Sequence, residues 1–195
     1  GALVPVMNPE GIKPGALGLS GELLGDISLG KVKTWNDPAI AKPNPKLKLP
    51  RDAITVVRRS DGSGTTFLWT DYLSKTNAEW KAKAGAGTAV EWPTGVGAKG
   101  NEGVAGNVSQ TKNSIGYVEY AYAKQNKLTY GAVINKAGKT VQPTIQTFQA
   151  AAANADWAGS KNYFVILTDQ PGDASWPITG ATFILMHKDA TDKAA

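Results

Sequence analysis

The chain has no cysteine, which excludes a disulfide framework and a thiolate metal site and leaves either redox compartment open. Its single histidine, His187, has no acid or base partner nearby in the sequence, so general catalysis through it has little footing. Carboxylates are dispersed without metal-ligand spacing, and neither a metal nor a cofactor is expected. No apolar run approaches membrane-spanning length. The opening residues 1–7 lack the charged leader and cleavage pattern of a secretory signal. There is no internal repeat and no low-complexity linker.

What remains is an ordinary globular composition. Of 195 residues, 42% are hydrophobic and 19% charged, enough for one domain with a sizeable core, and one α/β domain over 1–195 is expected. The net charge of +5 is scattered. Its densest group, Lys42, Lys46, Lys48 and Arg51, lies in a proline-rich connection that reads as a solvated loop, so no nucleic-acid partner is expected. Six tryptophans are not interleaved with basic residues and read as packing rather than base-stacking groups. Asn107-Val108-Ser109 matches a glycosylation acceptor, a pattern common by chance.

Along the chain, strands alternate with helices. Leu3 to Met7 reads as a first strand, with Pro5 placing it at an edge or a bend. Leu23, Leu24 and Ile27 give a helical face before Gly30, Asn36-Asp37-Pro38 caps a short helix, and Asn77 to Lys83 adds another turn or two. Residues 84–100 read as an irregular loop around a short strand at Val90 to Trp92. A helix is expected over Asn101 to Thr111, a strand over Ser114 to Glu119, and a helix from Tyr120 through Ala123. Residues 135–139 should close a hairpin. Ile145 to Ala155 is the best helix by propensity, with Ile145, Phe148, Ala151 and Ala152 on one face. Phe164 to Leu167 and Thr182 to Met186 are buried-strand candidates. The alternation implies a mixed sheet with helices on its faces.

One stretch carries chemistry: Val56-Val57-Arg58-Arg59-Ser60-Asp61-Gly62-Ser63-Gly64-Thr65-Thr66-Phe67. Its β-branched run reads as a strand, and Gly62 and Gly64 are expected to end it with their backbone freedom. Trp69, Tyr72 and Leu73 then fall at helical spacing, with Ser63 or Thr65 as N-cap. Such a corner suits an oxyanion, because the first amides of a helix have no internal partner and carry partial positive charge. Ser63 and Thr65 add hydroxyl donors, Gly64 leaves the backbone approachable, and Arg59 supplies a planar fork for two oxygens. Asp61 is assigned to holding Arg59. The same composition also describes an ordinary surface turn. The glycine-rich start of the Asn101 helix is a second, weaker anion corner. A phosphate-binding P-loop and a nucleophile elbow are excluded, since neither the lysine of the first nor the leading glycine of the second is in place.

These residues resemble the signature of the periplasmic phosphate-binding proteins that serve the bacterial high-affinity phosphate importer. Four further segments match in order: residues 24–37 (LGDISLGKVKTWND), 100–103 (GNEG), 114–123 (SIGYVEYAYA) and 176–185 (WPIT, then TFIL). The likeness runs through nearly the whole chain and implies an α/β fold that is a single lobe of a two-lobe periplasmic-binding-protein fold, a mixed sheet with helices on both faces. It also implies inorganic phosphate as ligand, importer membrane subunits as partners of the parent, a periplasmic location, and a leader lying before Gly1. Arg59, Asp61, Ser63, Gly64 and Thr65 match the second-lobe phosphate ligands, with Asp61 pairing with Arg59. The family's first-lobe segments, such as its Gly-Ala-Gly-Ala-Thr-Phe-Pro opening, are not in this sequence, nor is the first-lobe aspartate that accepts the proton of hydrogen phosphate. Half of the site is therefore expected here, with weak binding and a phosphate preference over sulfate below about a hundredfold, or roughly 2.7 kcal/mol. A strand edge or apolar patch left by the other lobe leaves self-association open. Two other readings stay open as well: a structural or proteolytic lobe without ligand, and an enzyme acting on phosphate esters. If the chain is one lobe cut at its hinge, Leu3–Met7 and Phe183–Met186 should lie side by side near the Asp61 turn.

Overall fold

The computed structural model describes residues 1–184. In chain order its elements are β1 (Leu3–Met7), β2 (Gly18–Ser20), α1 (Gly21–Ser28), α2 (Pro38–Ala41), β3 (Thr55–Arg59), α3 (Gly64–Thr76), α4 (Ala78–Lys83), β4 (Val96–Ala98) and α5 (Gly100–Gln110). Then follow β5 (Ser114–Glu119), α6 (Tyr120–Gln125), β6 (Thr129–Tyr130), β7 (Ala132–Ile134), β8 (Thr140–Val141), α7 (Ile145–Ala153) and a short 3-10 turn at Lys161–Tyr163.

The main sheet has the order β4-β3-β5-β1-β6, and a smaller one has the order β2-β7-β8. Strand β3 runs parallel to β4 and β5, while β1 is antiparallel to β5 and β6. Three parallel strands therefore end at one edge, β3 at Arg59, β4 at Ala98 and β5 at Glu119, and each leads into a helix start. In open α/β sheets that edge is where ligands bind.

Helices cover both faces because neighbouring strand residues point to opposite sides. The Tyr117 ring of β5 stacks on Trp69 of α3, with centroids 4.9 Å apart. The preceding residue, Gly116, faces α5: a Cβ there would stand 3.0 Å from Val104 Cγ1 and 3.1 Å from Val108 Cγ2. Gly116→Ala is therefore expected to overpack this face and cost about 1–3 kcal/mol. A lowered denaturant midpoint at unchanged slope checks it, with Gly62→Ala, where nothing lies within 4 Å, as the neutral control.

Most of the expected elements are present, including the Asp37 cap of α2, the hairpin between β7 and β8, and the buried Trp69, Tyr72 and Leu73 face of α3. Trp35, Trp69, Trp80 and Trp176 are buried. The four basic residues of the proline-rich loop are exposed.

Four expectations are corrected. Pro5 lies in the interior of the sheet, not at an edge. The Gly131 amide donates to its carbonyl at 3.0 Å, so its absent N–H faces the side where β6 pairs only with Val6 and Met7. The strand in the 84–100 loop is Val96–Ala98 rather than Val90 to Trp92, because pairing with β3 selects it. Phe164 to Leu167 forms no strand, and Phe164 is 61% exposed. Ile145 is exposed, so α7 turns Phe148 and Ala151 inward without it.

The chain start does pair with a late segment, but with an earlier one than expected. Ala2 bridges Thr179, and Gly1 and Gly180 exchange two hydrogen bonds of 2.9 Å. Residues 182–184 lie outside any strand, while Leu185, Met186 and His187 fall outside the described residues.

Candidate anion-binding site

The turn after β3 places Ser63 at the N-cap of α3 in extended conformation, its Oγ accepting from the Thr66 amide at 3.3 Å. Such a cap satisfies one of the first amides of the helix. The Ser63 amide itself donates to the Thr88 carbonyl at 2.9 Å, and the Phe67 amide donates to the Ser63 carbonyl at 3.0 Å. The amides of Gly64 and Thr65 have no acceptor among the described residues, and the Ser63 hydroxyl keeps its proton to give.

Gly64 is exposed, with nothing within 4 Å of where a Cβ would stand. Neither Gly62 nor Gly64 has positive φ, so the backbone freedom expected of them is not what the turn uses. Openness is what Gly64 contributes.

Arg59 and Asp61 pair as expected, through Nε to Oδ1 at 2.8 Å and Nη2 to Oδ2 at 2.7 Å. The Arg59 side chain is 9% exposed and that of Asp61 32%. Asp61 Oδ1 also accepts from the Gly100 amide at 3.2 Å, which occupies the first amide of α5, the second anion corner. The Arg59 hydrogen bonds, then that amide, hold the Asp61 carboxyl well below the usual carboxylate range, and the same pairing raises Arg59. Asp61 is thus balanced, and the Nη1 edge of Arg59 is left free of it.

A depressed carboxyl contributes stability above its unfolded pKa and loses it as pH falls. For Asp61 that loss begins near an unfolded value of about 3.9. Glu79, bonded to Lys31 and Lys83, goes from 4.5 to about 2 and acts in the same window. Stability is expected to fall below about pH 4, and Asp61→Asn should flatten that decline. Denaturant midpoints at neutral and acid pH check this, and an unchanged acid slope in the variant contradicts it.

Tyr117 ties the strand ends to the turn. Its Oη accepts from the Arg59 amide at 3.2 Å and lies 2.8 Å from Thr66 Oγ1, and burial raises its pKa, keeping the phenol neutral. No hydrogen bond among the described residues joins the Arg59 guanidinium to Ser63, Gly64 or Thr65. The five predicted residues therefore form two groups, the Arg59–Asp61 pair and the Ser63–Thr65 turn. A cavity of about 400 Å³ adjoins the second, with Gly64, Thr65, Leu68, Glu119 and Phe164 among its lining, but not Arg59, Asp61 or Ser63.

A second expectation about the turn changes. The Thr65 hydroxyl faces Glu119, donating to Oε1 at 3.4 Å, instead of standing free for a ligand. Sequence reasoning passed over Glu119, Tyr117 and Asn101. Their signal was position, at the end of an expected strand and at the first turn of a glycine-led helix. Among the described residues no group of three or more His, Asp or Glu could hold a metal ion, and no helix is long and apolar enough to cross a membrane.

The model of the PBP superfamily domain matches residues 1–195. The chain belongs to the PBP superfamily. Among curated members, the phosphate-binding protein PstS of Pasteurella multocida is 61% identical over 190 residues, covering 97% of this chain and 55% of that protein. PstS of Xylella fastidiosa is 57% identical over 194 residues, covering 100% and 53%. This chain spans about half the length of the curated relatives it matches. A solved phosphate-binding protein from Stenotrophomonas maltophilia superposes with a TM-score of 0.54 at 21% identity, covering 92% of this chain and 51% of that one. That likeness speaks to the fold, a mixed α/β lobe of the superfamily.

Proposed function

We propose that this PBP-superfamily chain binds inorganic phosphate as one lobe of the substrate-binding component of an ABC-type phosphate importer. On this reading residues 1–195 form one α/β unit that works in the periplasm with the importer's membrane subunits. The observation that carries it is the start of α3, where the Gly64 and Thr65 amides, unpartnered among the described residues, and the Ser63 hydroxyl follow closely in the chain on an arginine whose carboxylate partner is already balanced. An anion there meets donors held before it arrives, on the partially positive end of a 13-residue helix. The phosphate-binding names of relatives up to 61% identical support the choice of phosphate.

Binding, not turnover, is the role proposed. The relatives are binding proteins by name. Exposed Phe164, Phe183 and Ile184 favour self-association at high concentration.

The test removes a single donor. Gly64 is the first residue of α3, where proline is tolerated, and Ser63 before it has the extended conformation a proline requires, φ −155° and ψ 134°. Gly64→Pro should fold normally and lose phosphate affinity by at least about tenfold, or roughly 1.4 kcal/mol, in a calorimetric titration. Unchanged affinity in the folded variant, or no phosphate binding by the parent chain, overturns the proposal.

A further inference from the structure

The Arg59–Asp61 pair and the Ser63–Thr65 turn share no hydrogen bond among the described residues, and the chain between them is open. Ser60 and Gly62 are exposed, and nothing lies within 4 Å of where a Gly62 Cβ would stand. What fixes one group against the other must come from elsewhere in the fold. Tyr117 of β5 is placed to do so. Its Oη is the one atom among the described residues bonded both to the backbone of the residue that carries the guanidinium and to the first turn of α3. The Arg59 amide donates to it at 3.2 Å, and Thr66 Oγ1 lies 2.8 Å away.

The strand pairing shows why a side chain takes this part. The register of β3 with β5 matches Thr55 with Ser114 and Val56 with Ile115, and goes no further. Arg59 lies three residues past that end, and its amide meets the phenol oxygen instead of a backbone carbonyl of β5. Tyr117 and Thr66 are both buried, so water is no alternative partner for either hydroxyl. The Thr66 amide in turn donates to Ser63 Oγ, so the phenol reaches the cap of α3 through a single residue. The ring itself is held, stacked on Trp69 at 4.9 Å and on Trp92 at 5.9 Å.

We propose that Tyr117 is a positioning residue of the anion seat, its hydroxyl fixing the strand end that carries Arg59 relative to the Gly64 and Thr65 amides. It acts through these groups and not by touching the ligand. The inference rests on the reading of Arg59 and the α3 turn as a phosphate site. An oxyanion held by two groups gains most from both when their spacing is set beforehand, because otherwise binding must order them.

The experiment is calorimetric titration of the whole chain with sodium phosphate near neutral pH, at a temperature where melting curves show each protein folded. Tyr117→Phe keeps the ring and its stacking and removes only the bridging hydroxyl. It should weaken phosphate binding by about fivefold to tenfold. Thr66→Val, of similar shape, cuts the other end of the bridge and should weaken binding by about threefold or more. The double variant should lose no more than Tyr117→Phe alone, since both changes break one connection. Gly116→Ala, which destabilises the same strand from its other face, should bind within about twofold of the parent and so separates positioning from general loss of stability. If Tyr117→Phe does not fold, Thr66→Val decides by itself. Folded variants that bind within about twofold of the parent, losses that multiply in the double variant, or an equal loss in Gly116→Ala each overturn this inference and leave the phosphate reading standing. Absence of phosphate binding by the parent removes both.

Discussion

Arg59→Ala is expected to weaken phosphate binding by at least about a hundredfold, or roughly 2.7 kcal/mol, while the chain stays folded. The size follows from chemistry. A guanidinium almost fully covered by protein offers charge-assisted donors that water cannot replace, and truncating one side of such a contact costs about 2–5 kcal/mol. The variant also releases Asp61, turning a balanced carboxylate into a free negative charge near the seat. Folding should survive because Asp61 is 32% exposed and keeps the Gly100 amide, so its charge can hydrate. Arg59→Lys should recover little, since an ammonium cannot hold both Asp61 oxygens and still present a flat edge to an anion. Calorimetry on the three proteins, with far-ultraviolet dichroism to verify folding, decides it. Parent-like affinity in Arg59→Ala would remove the guanidinium from the site and leave only the turn.

The largest stability effect should come from Trp176→Ala, at about 3–5 kcal/mol, with the melting temperature falling by about 6–20 °C. Trp176 is fully buried. Its Nε1 donates to the Leu3 carbonyl at 2.8 Å, its backbone amide donates to the Thr147 carbonyl at 3.0 Å, and its ring meets Phe148 edge-on at 6.1 Å. One side chain thus joins β1, α7 and the late segment that pairs with the chain start. Removing it leaves a cavity and a buried carbonyl without its donor, two costs in the same place. Trp157→Ala is the control: that ring is only half-buried, and its Nε1 bonds locally to Ala152 at 2.7 Å. A loss below about 1 kcal/mol in Trp176→Ala would mean that the segment around it docks by other contacts.

Much of the architecture was legible because it depends on local rules. The apolar runs at Leu3–Met7 and Ser114–Glu119 match β1 and β5, and the caps at Asp37 and Asn77 start helices where their side chains meet the first amides. The errors share a cause. Val90 to Trp92 is more strand-like by composition than Val96–Ala98, yet β3 pairs with the latter, and no single segment states its partner. Phe164 to Leu167 reads as a buried strand because the residues are apolar, yet only Leu167 is buried, Phe164 is exposed and no strand forms, since apolar residues are common at surfaces. Pro5 reads as an edge or a bend because its position between β5 and β6 is decided by pairing across more than a hundred residues.

The candidate site divides in the same way. Sequence by itself determined the parts made by neighbours in the chain: Arg59 with Asp61 two residues on, Ser63 capping the helix it precedes, and Gly64 left open. It also determined the absence of cysteine chemistry. Only the tertiary structure decided that Asp61 closes the amide of Gly100, that Tyr117 braces Arg59 and Thr66, and that Glu119 takes the Thr65 hydroxyl. Those contacts exist because parallel β3, β4 and β5 end at one edge, bringing together helix starts separated by up to 56 residues in the chain, from Gly64 to Tyr120. A cap needs a few residues of chain, whereas convergence at a sheet edge depends on which strands pair, and pairing is settled by burial across the whole core.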